Sequence, residues 1–213
     1  MELVKSTKFI YLDSMKILFA TQNKNKVEEV RELLPEGFEI LTLEHFNFRG
    51  EIPENQTTIE GNAIQKVNFV FDLLRTDCFA EDTGLIVPSL GGEPGVYSAR
   101  YAGPERAPLK NMEKLLATMT DKDSREAYFE TVIALKFSNR LETFVGRCHG
   151  HISQSACGKH GFGYDPIFIP LGFNETLAQL PISIKSQISH RAKAMAKLIS
   201  FLRENCALKD VAQ

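Results

Sequence analysis

What this sequence lacks narrows it first. No apolar run approaches the roughly 18 residues that a membrane-spanning helix needs. The stretch before Met15 carries Lys5 and Lys8 but also Glu2 and Asp13, with no sustained apolar core and no small-residue cleavage site, so it does not read as a signal peptide. There is no Cys-x-x-Cys pair. Cys78, Cys148, Cys157 and Cys206 are scattered, the usage expected of reduced thiols in a cytoplasmic protein. The net charge of −2 lacks the positive excess of a general nucleic-acid binder. A small anionic ligand stays open, because local clusters of cations matter more than the sum. Repeats, low-complexity tracts and flexible linkers are absent, and so are the spaced glycines of the common phosphate loop.

What is there is a globular composition, 43% hydrophobic and 24% charged over 213 residues. That length fits one large domain or two small lobes. We expect an N-terminal extension over 1–14, a single domain over 15–205 and a C-terminal tail over 206–213.

The apolar run Lys16–Ala20 suits a buried strand. Val27, Val30, Leu33 and Leu34 then recur at helical spacing, with Glu28, Glu29, Arg31 and Glu32 opposite, and Pro35 and Gly37 end the helix. Phe38–Leu43 reads as a strand and 44–57 as a loop. Thr57-x-x-Glu60 has the form of a capping box before a helix whose stripe is Ile59, Ala63, Val67, Val70 and Leu74. Cys78–Glu81 and Leu85–Val87 read as strands on either side of an acidic turn at Asp82–Gly84. Pro108–Met119 reads as a helix, and Glu126–Phe137 with Leu141–His149 as a hairpin. After a short strand at 167–169, the chain closes with a helix over 189–205, striped by Ala192, Met195, Ile199 and Leu202. This irregular mixture predicts an α/β fold with a mixed sheet and flanking helices.

Four polar segments carry candidate chemistry. Thr21, Gln22, Asn23, Lys24, Asn25 and Lys26 link a strand to a helix, where free N–H groups and two lysines make an anion site. Glu81-Asp82-Thr83-Gly84 offers paired carboxylates of the kind that hold Mg2+ together with substrate phosphates; Glu54 and Glu60 lie upstream. Gly161-Phe162-Gly163-Tyr164-Asp165-Pro166 places an aromatic pair and an acid on an exposed backbone, suited to stacking on a base. Lys185 with Ser189-His190-Arg191 puts cations at a helix start, against the helix dipole, which points to a ligand. Cys148, His149, His151, Cys157 and His160 match no familiar zinc spacing and are set aside.

Taken together, the chain resembles the inosine triphosphate pyrophosphatase family from about Lys16 to Asn205. Thr21-x-Asn23-x-x-Lys26, Glu60-x-Asn62-Ala63-x-x-Lys66, Glu81-Asp82-Thr83-Gly84-Leu85, the loop from Leu90 to Gly103, Gly161–Pro166 and Ser189-His190-Arg191 carry the resemblance. It implies an elongated mixed sheet with two lobes around a central cleft, usually as a homodimer, and Mg-dependent cleavage of ITP, dITP and XTP to a monophosphate and pyrophosphate. Carried onto this sequence, Thr21–Lys26 contact the triphosphate, Asp82 is the metal-linked acid that activates water, and Thr83 touches the substrate. Phe162–Asp165, Lys185, His190 and Arg191 form the base pocket, with His190 and Arg191 donating to the purine carbonyl. Lys26, Lys66 and Lys185 stabilise the departing pyrophosphate. Glu54 stands at the family's other metal position, and whether it or Glu81 completes the site stays open. Gln22 replaces the usual Gly, Ala192 follows Ser-His-Arg where Gly is usual, and Gln179 stands where Glu is common. A pyrophosphatase of similar fold for modified pyrimidine or methylated nucleotides, and a non-catalytic nucleotide-binding module, are the alternatives.

Overall fold

The structure, a computed structural model, describes residues 15–207. The expected extension 1–14 lies outside the described residues, as does the expected tail apart from residues 206 and 207, which continue the last helix.

In chain order the elements are β1 (Met15–Phe19), α1 (Lys24–Leu33), β2 (Phe38–Thr42), α2 (Ile59–Leu74), β3 (Cys78–Ile86), β4 (Pro94–Gly95), α3 (Pro108–Thr118), β5 (Glu126–Phe137), β6 (Arg140–Ile152), β7 (Phe168–Pro170), α4 (Ile182–Ile188) and α5 (His190–Ala207). Six strands form one sheet in the order β2-β1-β3-β5-β6-β7, and β4 adds to β3. The β1–β2 and β1–β3 pairs are parallel; β3–β5, β5–β6, β6–β7 and β3–β4 are antiparallel. The sheet is mixed, as the sequence predicts. Among the described residues no helix is long and apolar enough to cross a membrane.

Local chemistry accounts for the element ends. Asn23 caps α1, its side chain accepting from Lys26 N at 3.3 Å. Ser138 and Asn139 both sit at positive φ (50° and 62°), the twist that a two-residue hairpin turn requires, and they join β5 to β6. Ser189 Oγ accepts from Ala192 N at 3.1 Å and starts α5.

Three expectations are corrected. The cap of α2 is Thr58, which accepts from Gly61 N at 2.9 Å, so the Thr57–Glu60 box does not form. The helix α4 falls in a segment with no expected element. The acidic turn is not a turn: β3 runs unbroken through Glu81, Asp82 and Gly84. Gly84 is there for close approach. A Cβ on it would lie 2.5 Å from Gly95 O and 2.7 Å from Ile59 Cδ1.

Side chains alternate along β3. Phe79 joins Ile17, Phe19, Val30 and the α5 residues Met195, Leu198 and Leu202 in a core on one face. Cys78 and Ala80 join Ala63, Val67 and Val70 of α2 on the other. Each large apolar side chain so buried contributes about 1.5–3 kcal/mol. A third core, around Leu85, Phe129, Leu115 and Phe168, lies at the far end of the long strands. Between the two ends a gap opens along the β3 edge. The β1 pairing stops at Phe79 and the β4 pairing begins at Leu85. Among the described residues no strand pairs with that edge over 81–84, and the cleft lies there.

Candidate active site

The cleft has a volume of about 740 Å³. Its lining gathers Thr21, Gln22, Asn23, Asn25 and Lys26 from the turn before α1, Glu54 from the loop before α2, and Lys66 from α2. Asp82 and Thr83 come from β3, Phe162–Asp165 from the glycine loop, and Lys185, His190 and Arg191 from the α4–α5 junction. Of the residues singled out in the sequence for site or metal roles, Lys24, Glu60 and Glu81 are not part of this lining; Lys24 and Glu60 are exposed and Glu81 is buried.

The two adjacent acids of β3 have different partners. Glu81 is buried, and both its oxygens accept from Arg191 Nε, at 3.0 and 2.9 Å. Arg191 Nη2 donates to Glu81 Oε1 at 2.8 Å, and Lys26 Nζ lies 3.2 Å from the same oxygen. Burial alone pushes the Glu81 carboxyl up, but Arg191 and Lys26 outweigh it and hold its pKa at about 2. Asp82 turns to the other face. Lys66 Nζ donates to Asp82 Oδ1 at 3.0 Å and Asn62 Nδ2 donates to Oδ2 at 3.2 Å. The same Lys66 Nζ donates to Glu54 Oε1 at 2.6 Å. Burial works against the charge of Lys66, yet Asp82 and Glu54 raise its pKa above the ordinary value. Glu54 is also opposed by burial, and Lys66 draws it below the usual carboxylate range.

This division bears on metal binding. A divalent ion takes hard oxygens, commonly one or two carboxylates with substrate phosphates. Glu54 and Asp82 fit: both carboxylates reach one cationic nitrogen within 3.0 Å. Glu81 does not, since its oxygens are held by a guanidinium and an ammonium.

At the other end Asp165 accepts from Phe162 N at 2.9 Å and from Lys185 Nζ at 2.6 Å. Burial raises the Asp165 pKa despite Lys185. Lys185 also donates to Glu29 at 2.5 Å, and Arg191 Nη1 donates to the other Glu29 oxygen. Lys185 and Arg191 both sit over the Phe162 ring, at 5.5 and 5.6 Å. Arg191 therefore differs from the open donor expected in the sequence. Three of its nitrogens already donate to carboxylates, which makes it a charged brace behind the aromatic. His190 stacks on Phe129 at 4.6 Å, and burial, helped by Arg191, pushes its pKa well below 6.5. Its Nδ1 is the one buried side-chain polar atom without a hydrogen-bond partner among the described residues. A buried unpaired polar atom is costly, so it marks where a ligand atom belongs.

Several lining residues were not singled out in the sequence. Glu29 follows Lys26 by three positions, on the same helical face, but it reads as part of a solvated acidic face. Asn62, named there for the family resemblance but given no site role, did leave a signal: it is polar, buried, and in register with the apolar stripe of α2. Arg106, Asn111 and Phe129 carried none.

Comparison with known proteins bears on family and fold. The Ham1 family model matches residues 17–201. A dITP/XTP pyrophosphatase of Flavobacterium johnsoniae is 48% identical over 188 residues, covering 88% of this chain and 98% of that protein. One from Bacillus subtilis is 40% identical, covering 87% and 96%. The Ham1 protein of Staphylococcus aureus superposes with a TM-score of 0.81 at 35% identity, over 90% of this chain and all of that one.

Proposed function

This chain belongs to the Ham1 family, and on that basis we propose that it hydrolyses ITP, dITP and XTP to the monophosphate and pyrophosphate. The observation that carries the reading is the shared cleft. One cavity joins a carboxylate–lysine centre to an aromatic, acid-lined pocket with an unpaired His190 Nδ1.

Glu54 and Asp82 would hold Mg2+, which when bound neutralises phosphate charge and acidifies a nearby water. Asp82, oriented by Lys66 and Asn62, takes the proton of the attacking water. The water oxygen bonds to phosphorus as the anhydride between the alpha and beta phosphates breaks. Lys26, Lys66 and the N–H groups at the start of α1 meet the charge that collects on the departing pyrophosphate. The base stacks on Phe162, which Lys185 and Arg191 brace from behind. His190 stays neutral and offers one ring N–H. A purine carbonyl accepts it, whereas the amino group of ATP leaves two donors opposed. Family membership also supports a cytoplasmic homodimer acting on free nucleotides.

The test is pyrophosphate release from ITP, dITP, XTP, GTP, ATP, dUTP and dTTP, with and without Mg2+. Metal-dependent release that favours the deaminated purines is expected. Preference for pyrimidine nucleotides, or binding of ITP without release, would overturn the reading.

A further inference from the structure

A chain of contacts links the base pocket to the carboxylate–lysine centre. Phe162 lies under Arg191; Arg191 holds Glu81; Asp82, next in the strand, holds Lys66; Lys66 holds Glu54. One more cation stands beyond Glu54. Arg106 lines the cleft with Nη2 3.7 Å from Glu54 Oε2, beside the carboxylate–lysine centre. We propose that Arg106 is a binding residue for the outer phosphates of the triphosphate and for the pyrophosphate product. This rests on the pyrophosphatase reading.

Three features argue for it. Arg106 sits at a φ of 52°, which residues other than Gly seldom adopt and which recurs at functional sites. The loop that presents it is firmly seated: buried Asn111 accepts from Ala102 N at 2.7 Å and donates to Ala99 O at 3.0 Å. Lys114 donates to Tyr101 O at 2.6 Å, and Pro108 opens α3. The Arg106 side chain is 59% exposed, so its pairing with Glu54 adds little to stability, and folding alone does not explain an arginine here. A guanidinium suits a phosphate with two parallel donors. With Glu54 holding a metal, Arg106 would be free to meet a phosphate.

The experiment titrates inorganic pyrophosphate, with Mg2+, calorimetrically into the parent chain and into Arg106→Gly and Arg106→Lys. Glycine accepts the positive φ, so that variant keeps the loop. We expect the pyrophosphate Kd to rise about tenfold in Arg106→Gly, the loss of one charged hydrogen-bonding group. A rise of roughly two- to threefold is expected in Arg106→Lys, which keeps the charge but not the fork. IMP binding should not change, and the metal concentration for half-maximal pyrophosphate release should stay or fall. An unchanged pyrophosphate Kd in Arg106→Gly, an equal loss of IMP binding, or a raised metal requirement (Arg106 acting through Glu54) would each overturn the proposal. The titration needs no turnover. A parent chain that releases no pyrophosphate from any triphosphate refutes the pyrophosphatase reading, while the pyrophosphate Kd still decides Arg106.

Discussion

Glu81→Gln and Glu54→Gln should fail in opposite ways, although each removes one carboxylate charge paired with a lysine of the cleft. The native pairing of Glu81 lowers its pKa from 4.5 to about 2. At 1.36 kcal/mol per unit, that is about 3 kcal/mol of preference for the charged form in the fold. Loss of one partner from a buried pair costs a similar amount, about 3–5 kcal/mol, because Arg191 and Lys26 stay buried without their counter-charge. Glutamine still accepts one hydrogen bond, so the lower figure applies, and for a chain of this size it lowers Tm by roughly 6–12 °C. Glu54 is partly exposed and its loss should move Tm little, but half-maximal pyrophosphate release should then need more Mg2+. Scanning calorimetry and an Mg2+ titration of activity read the two effects separately. The sign with pH is fixed too. A depressed carboxyl stabilises fully above 4.5 and loses that contribution as pH falls toward 2. The parent should show this acid limb and Glu81→Gln should not. If Glu81→Gln melts with the parent, or shifts the Mg2+ requirement as much as Glu54→Gln does, the division of labour between the acids is wrong.

Asp82→Asn should keep Tm within a few degrees and lower turnover by about 10²–10⁴-fold, the usual worth of a general base; retained Mg-dependent turnover would refute the role of Asp82. Gly84→Ala should cost about 2 kcal/mol or more, since its Cβ would press on Gly95 O and Ile59; a thermal melt matching the parent would show that the two backbones can separate. His190 has a lowered pKa, so the unfolded chain takes up its proton first as pH drops below 6.5. Its contribution is present above that value and is lost below it, at up to about 1.4 kcal/mol per pH unit. Urea unfolding of the parent and of His190→Gln should therefore diverge between pH 6.5 and 5, and parallel curves would argue against a buried neutral imidazole.

Much of this was legible in the sequence because local pattern and packing agree. The stripe Ile59, Ala63, Val67, Val70 and Leu74 predicts α2; the first four are buried and Leu74 is half-buried. Two strands joined at Ser138-Asn139-Arg140 predict the β5–β6 hairpin, in which Arg140 already belongs to β6. Ala192, Met195, Ile199 and Leu202 predict the buried face of α5. Misreadings fell where a residue serves a partner far along the chain. Glu29 looks solvated on its helix, and its partners are Lys185 and Arg191, more than 150 positions away. Gly84 invites a turn, but its reason is the Gly95 backbone beside it, which no local window contains.

The acid pair shows why type and spacing could name the site without assigning the roles. Successive residues in a strand face opposite sides. An unbroken β3 sends Glu81 toward α1 and α5, where Lys26 and Arg191 wait, and Asp82 toward α2, where Lys66 and Asn62 do. A turn at Asp82–Gly84 would have let both carboxylates share one ion. In the strand they cannot, yet Asp82 lines the cleft and Glu81 holds two cations that do, because β1 ends at Phe19, short of them, and leaves the edge open. The position of β1's last pair thus makes one acid an anchor for cations and leaves the other for chemistry. Extending β1 along β3 by two residues would cover that edge, and an insertion that did so should abolish nucleotide binding while raising Tm.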